Sequence, residues 1–322
     1  MKASPFFVYF PLVLGYFLEK TVMDWGKIAK EMADKYVKPY GNTGREVSWI
    51  NSLNFETCGN MFKTREYQEE LLFHLYSGKN VVIYKTRQAG YTTMFLLHMI
   101  YILNNEFAMF GGKCQSNFLY AAPNTQMCEC AKQRAKQIIE TTTLGNGRSL
   151  CQEVMKHISF VPFSRIDTLC GRVFDYEFYD EFAFSEKLTE FFNCAYPTML
   201  RGEPQDNDKI STHPPKGTAV FASSFSPENE YKSKMEITTL LRNVLDNTEF
   251  IETHWYEVPY YNKNLVWKKY QVEPTIDKEG NVRYDKERWK KMLDDGWIPT
   301  SPQYEKLTEL FGQEKAESEL LN

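Results

Sequence analysis

NVVIYKTRQAGYTT, residues 80–93, is the stretch on which the fold turns. Asn80 to Tyr84 is a short run of branched side chains, the composition of a parallel strand buried on both faces. From about Thr92 to Asn104 the apolar pattern predicts a helix. Between them Lys85 to Thr92 reads KTRQAGYT, in the frame GxxxxGK[ST] of a Walker A phosphate loop set between a strand and a helix. Gly90 and Thr92 hold their places, whereas Lys85 replaces the first glycine and Tyr91 the usual lysine. The chemistry tolerates both changes. The backbone of Thr86, Arg87, Gln88, Ala89, Gly90, Tyr91, Thr92 and Thr93, with the helix N-terminus, can cradle phosphate oxygens. Thr92 can offer its hydroxyl to Mg²⁺, and Lys85 can swing its ammonium to the β/γ oxygens from the other side. The same letters also describe a plain strand–turn–helix with a basic turn and a glycine for positive φ.

Working outward, a helical pattern runs from Thr64 through REYQEELLFHLYSG, with Tyr67, Leu71, Leu72 and Leu75 apolar and Gly78 ending it. Strands are expected at Asn117–Ala122, His157–Val161, Tyr176–Asp180 and Thr218–Ser223, and helices over Asn124–Glu140, over Glu186–Leu200 and from about Pro227. Gly145–Ser149 and Gly202–Gly217 read as loops, and residues 23–60 as a polar helix (Trp25–Lys35) followed by a Pro/Gly/Asn loop. Such alternation implies an α/β fold with a mostly parallel sheet flanked by helices. Sheets of this kind bind ligands beyond the carboxyl ends of their strands. Three motifs fall there: after Tyr84, at Asp180 and after Ala222.

The second of these is YEFYDEFAF, a Walker B candidate with Asp180 and Glu181 ending an apolar strand. In P-loop ATPases such an Asp holds the metal's water shell and the next Glu polarises the attacking water. Two carboxylates at a buried strand tip are costly unless a cation neutralises them; a solvated acidic pair is the plainer reading. Asp175 and Glu177 are read as solvated. Loop and acids stand about 90 residues apart, and the strand–helix unit at 117–140 is read as the inserted strand of the additional-strand, catalytic-glutamate class.

Composition bounds the function. At 322 residues the chain suggests roughly two domains. Acidic residues exceed basic ones, 42 to 38, giving a net charge of −4, whereas a static, high-affinity duplex binder is usually basic; any nucleic-acid role therefore rests on a local patch or a transient grip. Seven scattered cysteines form no disulfide framework, and with Cys128 and Cys130 diverging on a helix no metal site is expected at that pair; the thiols read as reduced and cytosolic. Pro5–Leu18 is apolar but too short and proline-broken to span a membrane, so no membrane partner is expected; residues 1–22 read as an extension upstream of a natural start at Met23.

In this order the motifs resemble the ATPase domain of tailed-phage terminase large subunits, the DNA-packaging motors. REYQEELL resembles their adenine-side motif at Tyr67 and Gln68, KTRQAGYTT their deviant loop with the lysine in front, and FYDEFAF their acidic motif. VFASSFSP is similar to the coupling motif, at Ser223 and Ser224, and LFGQEKAESEL (Leu310–Leu320) to the closing Phe-x-Gln-Glu signature.

The resemblance, over about residues 60–320, implies a P-loop NTPase that hydrolyses ATP with Mg²⁺ to move double-stranded DNA into a procapsid. It implies Lys85 on the phosphates, Thr92 and Asp180 on the metal, and Glu181 orienting water. It also implies a portal protein and a small terminase subunit as partners, and a ring of copies when docked, with a monomer as the free state. The place is the host cytoplasm and, transiently, the portal vertex. The implied division is a lead-in at 23–60, an ATPase core at 61–256 and a lid at 257–322, with no nuclease activity expected. The family's Arg-Gly pair is replaced by Cys170-Gly171-Arg172, leaving Arg172 and Arg165 as candidates for an arginine finger and equally as surface residues. Lys263, Lys268, Lys269, Lys286, Lys290 and Lys291 are candidate DNA-grip residues or a solvated face. A helicase-like DNA-dependent ATPase and a nucleotide-binding packaging scaffold with little turnover are the alternatives.

Overall fold

A computed structural model describes residues 38–57, 60–143, 149–169, 171–184, 214–224, 247–269, 272–276 and 286–312, with isolated positions between 190 and 245. The apolar stretch Pro5–Leu18, the helix at Trp25–Lys35, most of the helix at Glu186–Leu200 and of the loop after Gly202, the helix from Pro227 and the closing signature past Gly312 lie outside the described residues. Among those described, no helix is long and apolar enough to cross a membrane.

The elements in chain order are α1 (Lys38–Ser52), the short strands β1 (Glu56–Thr57) and β2 (Asn60–Met61), α2 (Glu66–Tyr76), β3 (Asn80–Lys85), α3 (Tyr91–Met109), β4 (Phe118–Ala122) and α4 (Thr125–Thr141). They continue with β5 (Ile158–Pro162), β6 (Tyr176–Asp180), β7 (Thr218–Ser223), β8 (Thr248–Thr253), β9 (Val266–Lys269), β10 (Val272–Ile276), α5 (Lys286–Asp294), β11 (Ile298–Thr300) and α6 (Pro302–Phe311). Six strands form one sheet in the order β5-β4-β6-β7-β3-β8, and every neighbouring pair is parallel. All six carboxyl ends therefore lie on one edge.

Both faces of this sheet are covered, which is why its strands read as unbroken apolar runs. Val81, Ile83, Tyr120, Phe178, Val220 and Ala222 pack toward the helices, with Phe95 of α3 stacked on Phe178 at 4.1 Å. Val82, Tyr84, Leu119, Tyr179 and Phe221 form the opposite layer, where Tyr179 and Phe221 stack at 4.3 Å. After β8 the chain builds a three-stranded antiparallel sheet, β10-β9-β11. Trp255 stacks on Tyr304 of α6, and Tyr256 packs on Trp267 and Trp289, so this part joins the helix-side core.

Three expectations are corrected. One strand does lie between β3 and β6, but it is β7 and not the strand of the 117–140 unit; β4 lies on the far side of β6. Position along a chain does not set position in a sheet, because a parallel crossover can return past the strand just laid down.

Asp175 and Glu177 are not solvated. Glu177 is fully buried and accepts the Tyr179 hydroxyl, while Asp175 pairs with Lys216 at 2.9 Å and accepts the Asn117 N–H at 2.8 Å.

The Pro/Gly/Asn loop before residue 53 is the helix α1. Pro39 falls in its first turn, where its missing N–H costs nothing. Thr43, Glu46 and Ile50 then recur at helical spacing on its buried side.

Glu46 ties this helix down. Its carboxylate accepts the Tyr76 hydroxyl of α2 at 2.7 Å and lies 2.8 Å from His98 Nδ1 of α3, all three side chains being buried. Glu46→Ala strands both partners, so chemical denaturation is expected to show a loss of about 2–4 kcal/mol. A loss below about 0.5 kcal/mol would mean that α1 is held by its apolar side alone.

Candidate functional site

The loop between β3 and α3 is braced from behind. Thr86 N–H donates to the Thr253 carbonyl of β8 at 3.0 Å. The Tyr91 hydroxyl, buried, lies 2.7 Å from Thr253 Oγ1 and donates to the Tyr67 carbonyl at 3.2 Å. The aromatic residue at the usual lysine position is thus a strut to the neighbouring strand. Tyr67 OH and Gln68 Nε2 both donate to the Ala89 carbonyl, at 3.0 and 2.9 Å, so the polar ends of these two residues hold the loop. Gly90 sits at φ +78°, and a Cβ there would come within 2.9 Å of Gln68 Nε2, which accounts for the glycine. Arg87 and Gln88 are exposed at the tip, Gln88 at φ +61°. By helix geometry the first-turn N–H groups of Tyr91, Thr92 and Thr93 have no intrahelical carbonyl, which makes this end of α3 an anion cradle.

Opposite the loop stand the acids. Lys85 Nζ, at the end of β3, is 2.5 Å from Glu181 Oε1, with side chains only 7% and 18% exposed. The cation beside the buried Asp180 and the partly buried Glu181 is therefore Lys85. Glu181 Oε2 is held on the other side by Ser224 N–H and Ser224 Oγ, both at 2.9 Å, with Ser223 Oγ at 3.3 Å. Ser223 Oγ also lies 2.8 Å from the Ser224 carbonyl and accepts the Ala183 N–H at 3.2 Å. Glu181 adopts φ +49°, a left-handed conformation that costs a non-glycine residue about 1–2 kcal/mol and persists because these contacts fix it. Burial pushes the Glu181 carboxyl up, but the Lys85 ammonium and the Ser224 donors outweigh it and hold it below the usual carboxylate range.

Asp180 is buried and differs. Its Oδ2 accepts hydroxyls from Thr92 at 2.6 Å and Tyr120 at 2.7 Å, while Oδ1, also buried, has no partner. Burial holds its carboxyl above the usual range against the pull of Lys85. Thr86 Oγ1 is a second buried oxygen without a partner, in the loop itself. A hydroxyl and a carboxylate oxygen suit Mg²⁺, which takes hard oxygens and commonly only one or two protein carboxylates. Thr92 and Asp180 are thus the residues that would hold it.

Other expected residues fall away from this cluster. Thr93 is buried and accepts Arg134 Nη1 of α4 at 2.9 Å. Arg172 is exposed and reaches Ser159 at the start of β5 at 3.2 Å. Arg165 is exposed beyond the carboxyl end of β5 and lies 3.5 Å from Asp167. Of the lysines, Lys268 and Lys286 make exposed ion pairs with Glu305 and Glu70, Lys269 donates to the Asp295 carbonyl, and Lys263, Lys290 and Lys291 are exposed.

Tyr120, Thr253 and Arg134 belong to the site's surroundings and were not singled out from the sequence. Tyr120 carries one faint signal, a hydroxyl inside the otherwise apolar run FLYAA.

No protein-family model matches the chain, and no curated protein does. Among solved structures it is similar to the large terminase of bacteriophage HK97, with a TM-score of 0.46 and 9% identity over 86% of this chain; it spans 55% of that protein's length. It is similar to the large terminase ATPase domain of Thermus phage P74-26, with a TM-score of 0.41 and 14% identity over 80% of this chain and 93% of that one. It is also similar to the UvsW helicase of bacteriophage T4, with a TM-score of 0.40 and 10% identity over 75% of this chain and 77% of that one.

Proposed function

We propose that this chain is the ATP-hydrolysing motor module of viral DNA packaging, coupling Mg²⁺·ATP hydrolysis to translocation of double-stranded DNA into a procapsid. One observation carries the reading: Lys85, Thr92, Asp180, Glu181 and Ser224 converge at the carboxyl ends of β3, β6 and β7. The sequence resemblance supplies the packaging context.

In this reading the loop N–H groups and Lys85 take the triphosphate. A bound magnesium ion would neutralise β- and γ-oxygens, held by Thr92 and Asp180. Lys85 has one ammonium for two claimants. When a γ-phosphate draws it away, Glu181 Oε1 is freed to orient and accept a proton from the attacking water. The grip of Ser223 and Ser224 on the other oxygen passes that change into β7, which gives the coupling serines a physical task.

Arg165, exposed beyond β5 and four strand spacings (about 19 Å) from β3, and Arg172 are the arginine candidates, and in this reading the arginine is supplied across a ring by a neighbouring copy. Portal protein, small terminase subunit and transient double-stranded DNA are the partners, in the host cytoplasm and at the portal vertex. The ATPase core at 61–256 and lid at 257–322 are one division of this module, and hydrolysis of ATP is its activity.

Steady-state phosphate release is the test, with and without Mg²⁺ and double-stranded DNA, over a range of protein concentrations. Expected is turnover that needs Mg²⁺, rises per protomer with concentration and is stimulated by DNA. Turnover indifferent to DNA would reduce the reading to a bare ATPase. Neither nucleotide binding nor turnover would remove the phosphate-loop assignment.

A further inference from the structure

Asp180 holds its two carboxylate oxygens in different circumstances: Oδ2 accepts two hydroxyl hydrogen bonds and Oδ1, buried, accepts none. An orphaned lone-pair oxygen in a closed site is costly unless something is meant to meet it. What keeps the orphan where it is? Rotation about Cβ–Cγ would exchange the oxygens, and the bonds to Oδ2 oppose it. One of those bonds comes from Thr92, whose oxygen the proposed function gives to the metal. The other comes from Tyr120, which that function leaves without a role.

Tyr120 is built as a fixed arm. It stands on β4, the strand paired with β6, opposite Phe178 in the register. Its side chain is 1% exposed, and its ring is flanked by Phe160 at 5.4 Å and Phe178 at 5.5 Å. A ring packed in this way has little freedom, so the hydroxyl it delivers 2.7 Å from Asp180 Oδ2 arrives in one place. A charge-assisted O–H···O⁻ bond of this length is among the stronger ones.

We propose that Tyr120 is a positioning residue for Mg²⁺·nucleotide: it clamps Asp180 Oδ2 so that Oδ1 is presented to the divalent cation. The inference rests on the Mg²⁺·ATP reading of the site. Tyr120 touches neither nucleotide nor metal and acts through Asp180 alone. Loss of a supporting hydrogen bond of this kind typically costs about 10–100-fold in metal affinity or activity.

The test uses Tyr120→Phe, which removes one oxygen and keeps the ring. Affinity for a non-hydrolysable ATP analogue is measured by calorimetry, with Mg²⁺ and with EDTA, for wild type and variant, beside thermal melting of each. In wild type Mg²⁺ should tighten binding. In the variant that gain should fall by about tenfold, with the EDTA affinity unchanged. A variant that keeps the full gain overturns the inference and leaves the nucleotide site standing. Equal weakening in both conditions also overturns it, since Tyr120 would then shape the pocket as a whole. A wild type that binds the analogue in neither condition overturns the Mg²⁺·ATP reading and this inference with it.

Discussion

Replacing Glu181 with alanine is expected to cut ATP turnover by about 10²–10⁴-fold while tightening, not weakening, the hold on nucleotide. The first effect is the loss of the base. The second follows from the ground state. Lys85 and Glu181 are paired at 2.5 Å in a largely buried site, and a phosphate can recruit the ammonium only by breaking that pair. Without Glu181 the ammonium is uncommitted, so ATP analogues should bind several-fold tighter, up to about tenfold for each 1.4 kcal/mol released. Phosphate-release assays and titration with a fluorescent nucleotide separate the two effects. If affinity and turnover fall together, Glu181 is a binding residue and its assignment as base is wrong.

Lys85→Met is expected to cost both stability and turnover. It leaves Asp180 and Glu181 as adjacent acids with no cation between them. Breaking a fully buried pair costs about 3–5 kcal/mol, and with Glu181 still 18% exposed and supported by Ser224 a loss of about 2–3 kcal/mol is expected in urea unfolding. The double variant Lys85→Met/Glu181→Ala should regain most of that stability and none of the turnover.

The pH dependence follows from the same pair. Glu181 has a folded pKa below its unfolded one, so it contributes stability that is present above its unfolded pKa, about 4.3, and lost as pH falls through the lower folded value. Asp180, raised by burial, has the opposite sign: its protonation favours the fold as pH falls through the raised value. Removing Glu181 should therefore flatten the acid limb of the stability curve. Lys85→Met with unchanged stability and turnover would refute the pairing as a working contact.

Five strands of the central sheet and the three motifs were legible because each is a local pattern: a branched run for β3, an apolar one for β7, an acidic pair ending β6, a glycine and threonine at fixed offsets; β8, which pairs with β3, and the short strands β1, β2, β9, β10 and β11 were not read from the sequence. What escaped is non-local. The lysine at the front of the loop could be seen, but not that its partner at rest lies 96 residues away, because a hydrogen bond between strand tips leaves no mark on spacing. Glu177 looked solvated because a carboxylate in a strand is usually so; the Tyr179 hydroxyl two residues on, which accounts for its burial, reads as one more apolar ring. Helix α1 hid behind Pro39, Gly41 and Gly44, whose poor local propensity is overcome by burial of Glu46 and Ile50. Tyr120 is visible only once β4 is known to lie beside β6.

The place of β7 has a consequence for the newly made chain. Both neighbours of β3, the strands β7 and β8, are encoded after the acids, whereas β4, β5 and β6 can pair among themselves as soon as they appear. Until residue 218 leaves the ribosome, the strand bearing Lys85 has no partner and β6 has one bare edge. The site is thus sewn shut late, by the seam strand β7, after a wait during which both edges of β3 and one of β6 stand open. For a nascent chain of this design, slower elongation through residues 181–223 prolongs that exposure, and the yield of folded chain is expected to fall with it.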